Sequence, residues 1–253
     1  DVAFTGVDHI PVAAAKERHI AVSNASGYSN ESVAELVLGV TLSLLRRVMI
    51  VDKNTRTGKT VDGNVGVELQ GKTVGIIGTG AIGSRTAELF SAFGCRVLGY
   101  NPHPKEITGI INVTMEELLE KSDIITLHCP LNDSTRGLID GEKIAKMKDG
   151  VILVNTSRGG LIKTDDLIAG IRDHKFFAVG LDVYEEESAY VYEDMSSSIL
   201  PTSTIQRLLS FPNVTMTSHQ GFFTVEALTN IAETTLENAK TFMDGAEMKN
   251  LVH

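Results

Sequence analysis

Along most of the chain, short apolar runs alternate with stretches in which apolar residues recur at helical spacing. The runs at 74–77, 96–100, 123–128, 151–155, 176–182 and 214–217 are largely apolar, and β-branched residues dominate the first, with Val74, Ile76 and Ile77. They read as buried parallel strands. Helical spacing follows at 81–93, after Thr114 with Glu117 three residues on, after Thr164, and around 205–209. Thr114 and Thr164 serve as expected N-caps. A long amphipathic helix ends the chain, with Leu228, Ile231, Ala232, Leu236, Ala239, Phe242 and Met243 on its apolar face. Such strand–helix alternation predicts an α/β fold, a doubly wound parallel sheet.

The first seventy residues follow another pattern. Pro11 suits the first turn of a helix running to Arg18, and 20–23 reads as a strand with no partner before it. Ser32 and Glu35 form an expected capping box for a helix carrying Val33, Leu36, Val37, Val40 and Leu44 on one face. Arg46 and Arg47 complement its C-terminal dipole. Residues 55–71 are rich in Gly, Thr, Asn and Asp and read as a surface loop, and 188–212 is polar and irregular. No internal repeat or low-complexity tract stands out.

Composition narrows the function classes. The 253 residues carry 23 Lys and Arg against 32 Asp and Glu, a net charge of −9. That balance disfavours nucleic acid and anionic membrane surfaces as partners. The longest apolar stretch, 36–45, is too short to span a bilayer, and no basic segment precedes an apolar one at the N-terminus. Two cysteines, Cys95 and Cys129, each in a predicted strand, offer no disulfide framework. The expectation is a cytoplasmic globular chain, with its Asn-x-Ser/Thr sequons accidental and no metal site.

The run at 74–77 leads into Gly78, Gly80 and Gly83, spaced G-x-G-x-x-G, and then into a helix. The first glycine allows the tight turn, the second lets a pyrophosphate approach the backbone, and the third lets helix and strand pack closely. Free N–H groups at the helix start favour the phosphates. This context predicts dinucleotide binding.

In such a sheet, ligands gather beyond the carboxyl ends of the strands. Those ends deliver Asn155, Thr156, Ser157 and Arg158; Asp182 with Glu185, Glu186 and Glu187; and Ser218, His219 and Gln220. A guanidinium grips a substrate carboxylate bidentately. An imidazolium donates a proton to a carbonyl oxygen as hydride reaches the carbon, and a carboxylate on its far nitrogen fixes the tautomer. Taken singly, Arg158 can be a helix cap, Glu187 part of a solvated acidic run, and His219 a satisfied loop histidine. Their shared place at strand ends favours the chemical reading.

Five segments carry a resemblance: GIIGTGAIG at 75–83, LHCPL at 127–131, VNTSRG at 154–159, GLDVYEEE at 180–187 and SHQ at 218–220. Together they resemble the D-isomer-specific 2-hydroxyacid dehydrogenases over nearly the whole chain. The resemblance implies a Rossmann-type NAD-binding domain at 27–222. It also implies a remnant of a flavodoxin-like substrate domain at 1–26, and a helix at 223–253 returning to it. It makes Arg158 the substrate-binding residue, His219 the acid/base and Glu187 its partner, with Asp182 near the nicotinamide amide. Ala81, Ile82, Cys129, Pro130, Thr135, Thr156 and Ser157 match further cofactor positions beside Gly78, Gly80 and Gly83. His128 matches a strand-end residue near the cofactor, not a catalyst. The extended segment 187–219, with Tyr190, Tyr192 and Pro201, resembles the D-lactate and D-2-hydroxyisocaproate branch more than the phosphoglycerate one. Phe222 and Phe223 would present an apolar wall suited to small aliphatic keto acids.

The implied activity is NADH-dependent reduction of a small 2-keto acid to the D-2-hydroxy acid by a cytoplasmic homodimer. The alternatives are D-2-hydroxyisocaproate or phosphoglycerate dehydrogenase activity, a cofactor-sensing regulator of the corepressor type, and a non-catalytic dimer module using helix 30–50. Two departures from the family pattern stand out. Position 101, 18 residues after Gly83, holds Asn101 where NAD-specific units carry an acid, so NADP use is conceivable, with His103 nearby to pair with its phosphate. The chain also starts near the end of the expected first lobe.

Overall fold

Val74, Ile76 and Ile77 are buried on both faces of a central strand, β1 (Thr73–Ile77). The structure, a computed structural model, describes residues 1–7, 10–58, 63–185 and 204–252. Next to β1 stand β2 (Arg96–Tyr100) and β3 (Ile111–Asn112) on one side. On the other stand β4 (Ile124–Leu127), β5 (Val151–Asn155), β6 (Phe176–Leu181) and β7 (Val214–Met216). Among the described residues they form one parallel sheet of order β3-β2-β1-β4-β5-β6-β7. The chain walks outward from β1 to β3, then returns to β4 beside β1. That reversal opens a crevice at the carboxyl ends of β1 and β4.

The helices in chain order are α1 (Val12–Glu17), α2 (Asn30–Leu45), α3 (Val48–Arg56), α4 (Ala81–Ala92) and α5 (Met115–Lys121). They continue with α6 (Gly141–Lys146), α7 (Thr164–Arg172), α8 (Thr204–Leu209) and α9 (Val225–Met243). Strand periodicity divides the core into two layers. Ile124, Ile152 and Val154 join Val37, Leu44, Ala87 and Phe90 in one. Ile125 and Leu153 join Leu118, Ile144, Leu167 and Ile168 in the other. On α4 the buried residues are Gly83, Thr86, Ala87 and Phe90, one helical stripe. Gly180 on β6 faces α2, where an added Cβ would stand 2.6 Å from Val40 Cγ1.

Two compact units emerge: residues 33–221, which hold the sheet, and 1–32 with 222–253. Within the second, the two ends of the chain are tied by polar side chains. Ser23 Oγ donates to Asp1 at 2.8 Å, Asn238 Nδ2 to the Asn24 carbonyl at 3.0 Å, and Asn250 Nδ2 to Asn238 Oδ1 at 2.9 Å. In the same unit Phe222 packs edge-on against Phe4, Tyr28 and Phe223.

Several local expectations change. Thr114 does cap α5, accepting from Glu117 N at 3.1 Å. Ser32 does not cap α2: the helix has already begun at Asn30, and the Ser32 hydroxyl donates to the Ser29 carbonyl. Thr164 is the first residue of α7 rather than its cap, and its hydroxyl donates to Glu185 Oε2 at 2.9 Å. Residues 20–23 do not form a strand: of them only Ser23 makes an isolated bridge, to Leu251, and Asn24 just beyond bridges Val2. Helix α3 covers 48–56, past the expected loop start, and α6 is capped by Asp140, which accepts from Lys143 N. Cys95 and Cys129 flank β2 and β4 rather than lie in them. The apolar face of α9 lies open, with Leu236 71% and Met243 83% exposed.

Candidate active site

The glycine turn after β1 gives each glycine a distinct constraint. Gly78 has φ +98°, and a Cβ there would lie 2.7 Å from the Cys129 amide nitrogen. Gly83 lies over Gly78 so closely that a Cβ would strike the Gly78 carbonyl oxygen. Gly80, the N-cap of α4, differs, because nothing stands within 4 Å of its missing Cβ. The first two are demanded by packing. The third keeps open space in front of the Ala81, Ile82 and Gly83 amides, where an anion gains from the helix start.

β2 ends in Asn101, whose Oδ1 accepts from His103 N at 3.0 Å. The carboxamide therefore closes its own turn. β4 ends in His128 and Cys129. His128 Nε2 lies 3.0 Å from Thr126 Oγ1, and burial pushes its imidazole down to about 4. Burial pushes the Cys129 thiol up to about 11, so it stays protonated near neutral pH. The Cys129 carbonyl accepts from Ser157 Oγ at 2.7 Å, which ties the end of β4 to that of β5. Thr135 folds its loop back, donating to the Pro130 carbonyl at 2.6 Å.

β5 ends in Asn155, fully buried, whose carboxamide shapes the next turn. Its Oδ1 accepts from Ser157 N at 3.0 Å, and its Nδ2 donates to the Arg158 carbonyl at 2.9 Å. A buried amide must satisfy both ends, and Asn155 does so by clamping 155–158. Arg158, half-buried, donates from Nη1 to the Ser157 carbonyl at 2.8 Å. Gly159 then lies so close to the Tyr184–Glu185 peptide that any side chain would collide with it.

β6 ends in Asp182, which is 2% exposed. Its amide donates to the Asn155 carbonyl at 2.9 Å, and its carbonyl accepts from His219 N at 2.8 Å. Its carboxylate accepts from the Thr217 hydroxyl, from Gln220 N at 2.7 Å and from Gly221 N at 2.8 Å. His219, half-buried with φ +53°, is thus held on both sides of its own residue. Asp182, expected beside the nicotinamide amide, holds the His219 loop. Glu187 lies outside the described residues, as do Tyr190, Tyr192 and Pro201. Of the acidic run, Glu185 is exposed and engaged by Thr164. The roles of Asn155, Thr217 and Gly159 were missed in the sequence. A polar residue closing a wholly apolar strand was the available signal for Asn155.

The residues fit a dinucleotide. The open face of Gly80 suits a pyrophosphate, and Thr156 Oγ1, buried beyond β5, has no hydrogen-bond partner among the described residues. Among the described residues no cluster of His, Cys, Asp or Glu suits a metal ion, and no helix is long and apolar enough to cross a membrane.

The family model for the D-isomer specific 2-hydroxyacid dehydrogenase NAD binding domain matches residues 38–221. The chain belongs to that family. Over 242 residues it is 44% identical to "2-hydroxyacid dehydrogenase homolog 2" of Schizosaccharomyces pombe, covering 94% of this chain and 73% of that protein. Identity is 40% to "D-lactate dehydrogenase kk1H" of Curvularia clavata, over 97% of this chain and 72% of that one. The crystal structure of Aquifex aeolicus D-lactate dehydrogenase, complexed with NAD and lactic acid, superposes with a TM-score of 0.91 at 33% identity. That match covers 99% of this chain and 78% of that one. This 2-hydroxyacid dehydrogenase is therefore an NAD-dependent oxidoreductase built on a Rossmann-type sheet.

Proposed function

We propose that this dehydrogenase reduces a small 2-keto acid to the D-2-hydroxy acid, in the manner of a D-lactate dehydrogenase. The observation carrying this reading is the placement of Arg158 and His219 at the carboxyl ends of β5 and β7. These strands flank β6, whose Asp182 is bonded to both neighbouring ends. NADH, when bound, supplies the hydride. Gly78, Gly80, Ala81, Ile82 and Gly83 would hold its pyrophosphate, and Asn101 its adenosine ribose. Cys129, Pro130, Thr135, Thr156, Ser157 and Asp182 would line its remaining length. Arg158 grips the substrate carboxylate and polarises the carbonyl. His219 donates the proton that the reduced carbonyl oxygen takes up. Glu187 orients the imidazole, an assignment supported by the engagement of Glu185 elsewhere.

Pyruvate is the assigned substrate class, supported by relatives named as D-lactate dehydrogenases. The same reading makes the protein a cytoplasmic homodimer, a stoichiometry that light scattering in solution tests. The deciding experiment is a panel of pyruvate, 2-oxoisocaproate, phenylpyruvate and phosphohydroxypyruvate with NADH and with NADPH, scoring rate and product chirality. We expect pyruvate to lead and the product to be D. His219→Ala should lower kcat at least ~100-fold, the scale of a lost general acid, with NADH binding retained. NADH binding without turnover of any keto acid would instead favour the cofactor-sensing reading.

A further inference from the structure

At the opposite, amino-terminal edge of the sheet lies an open groove of about 670 Å³. Its walls include Arg47, Arg172 and His174, together with Phe176, Phe177 and Phe211. The volume falls in the range of small-molecule sites. Although the chain as a whole is acidic, no Asp or Glu is among the described residues that line this groove.

The backbone carries a second, independent sign. α4 and α9 close on Gly94 and Gly245, at φ +79° and +65°. In each, the glycine N–H and the next N–H reach back to the last turn: Gly94 N to Ser91 O and Cys95 N to Phe90 O, Gly245 N to Phe242 O and Ala246 N to Thr241 O. Glycine is the low-strain residue for this cap. α7 closes with the same pair of bonds, His174 N to Ile171 O and Lys175 N to Gly170 O, yet places a histidine at φ +57°. Past the end of α2, Arg47 takes φ +52°. Among the described residues four non-glycines have positive φ: His219 in the active site, His19 after α1, and these two. Two strained positions thus deliver a guanidinium and an imidazole to one groove, at helix ends where glycine costs less. Backbone strain of this kind concentrates at binding sites.

The groups are also prepared for a ligand. Arg47 Cζ lies 5.0 Å from the Phe177 ring centroid, a cation–π contact that restricts the guanidinium. The Arg172 side chain has no hydrogen-bond or ion-pair partner among the described residues, and Asp149, the nearest acid in sequence to Gly150 of the groove, is paired with Lys175 at 2.8 Å. Asp173 follows Arg172 on the chain and is exposed.

We infer that this groove is a second binding site, for a small organic phosphate with a flat apolar body. Two guanidiniums and an imidazole match a dianion, and the phenylalanines match the body. The site is separate from the cofactor crevice, since Gly150, Phe176 and Asn213 precede or open β5, β6 and β7.

The test is calorimetric titration of phenyl phosphate into the full chain saturated with NADH. We expect saturable binding at one site per chain, with inorganic phosphate weaker because it leaves the rings unused. Arg172→Gln and His174→Gly should each weaken binding on the order of tenfold, for one lost charge-assisted contact. His174→Gly should do so without lowering Tm, because glycine suits the αL position. Any of four results overturns the proposal: no saturable binding, displacement by NADH, affinity unchanged in both variants, or inorganic phosphate binding as tightly. The first, coupled with a change of oligomeric state in Arg172→Gln, would assign the groove to a second copy of the chain.

Discussion

The backbone carbonyl of Asp182 accepts the N–H of His219 at 2.8 Å, while the Asp182 carboxylate takes the next two N–H groups, of Gln220 and Gly221. One buried residue at the end of β6 therefore sets the path of the loop that presents His219, the proposed acid/base. Asp182→Ala would leave the Thr217, Gln220 and Gly221 donors without their buried acceptor. We expect a stability loss of about 3 kcal/mol and a fall in kcat larger than the change in NADH affinity. Thr217→Val removes only the hydroxyl donor and should cost about 1 kcal/mol. Urea unfolding with steady-state kinetics measures both. Unchanged turnover in a folded Asp182→Ala protein would remove its positioning role.

Gly80 and Gly83 should part company under the same substitution. At Gly83 a methyl strikes the Gly78 carbonyl, so Gly83→Ala should unfold several degrees lower. At Gly80 a methyl meets no protein atom and the backbone, φ −76° and ψ −164°, suits any L residue. Gly80→Ala should therefore keep its Tm and lose about tenfold or more in NADH affinity, because the methyl takes the pyrophosphate's space. Thermal melts and a fluorescence titration with NADH make the comparison. Wild-type NADH affinity in Gly80→Ala would place the pyrophosphate elsewhere.

Stability should carry a pH signature from His128. Folded, its imidazole stays neutral down to about pH 4, whereas in the unfolded chain it protonates near 6.5. Between those values the unfolded state binds more protons, so stability falls as pH drops from 6.5 towards 4 and is full above 6.5. His128→Gln, which has no proton to gain, should flatten that slope by up to about 1.4 kcal/mol per pH unit. Urea midpoints at closely spaced pH values give the slopes. Identical slopes in the two proteins would mean the imidazole is hydrated in the folded state.

Asn101 offers a test of cofactor choice. Aspartate retains the acceptor used by His103 N, so the turn should survive Asn101→Asp. The added charge would repel a 2′-phosphate. KM for NADPH should rise at least ~10-fold, with KM for NADH nearly unchanged. Parallel shifts in both would show that the side chain faces away from the ribose.

Much of this was readable from residue order. Strand runs such as 151–154 are apolar at every position because both faces of the sheet are covered, and the glycine spacing marks a turn that packing alone nearly specifies. Arg158, Asp182 and His219 follow those runs directly, so their strand-end positions came with the strands. Less visible were the polar contacts that need the third dimension. Ser32 and Thr164 have the local look of caps, yet each hydroxyl found another partner, Ser29 O and Glu185. Asn155 clamps its loop only because burial leaves its amide no water. The apolar stripe of α9 was evident in spacing, but spacing does not say what covers a face, and here it is open.

The last strand lies at the rim of the sheet, bonded to β6 and ending the strand order, and its three residues are only half-buried. His219, the proposed acid/base, is therefore carried by a strand at the rim, while the cofactor turn grows from one inside the sheet. Exchanging the segment around His219 would leave the two packed layers intact. In evolutionary terms, a scaffold arranged this way can trade substrates by rewriting one tethered rim while its cofactor seat is passed on unaltered.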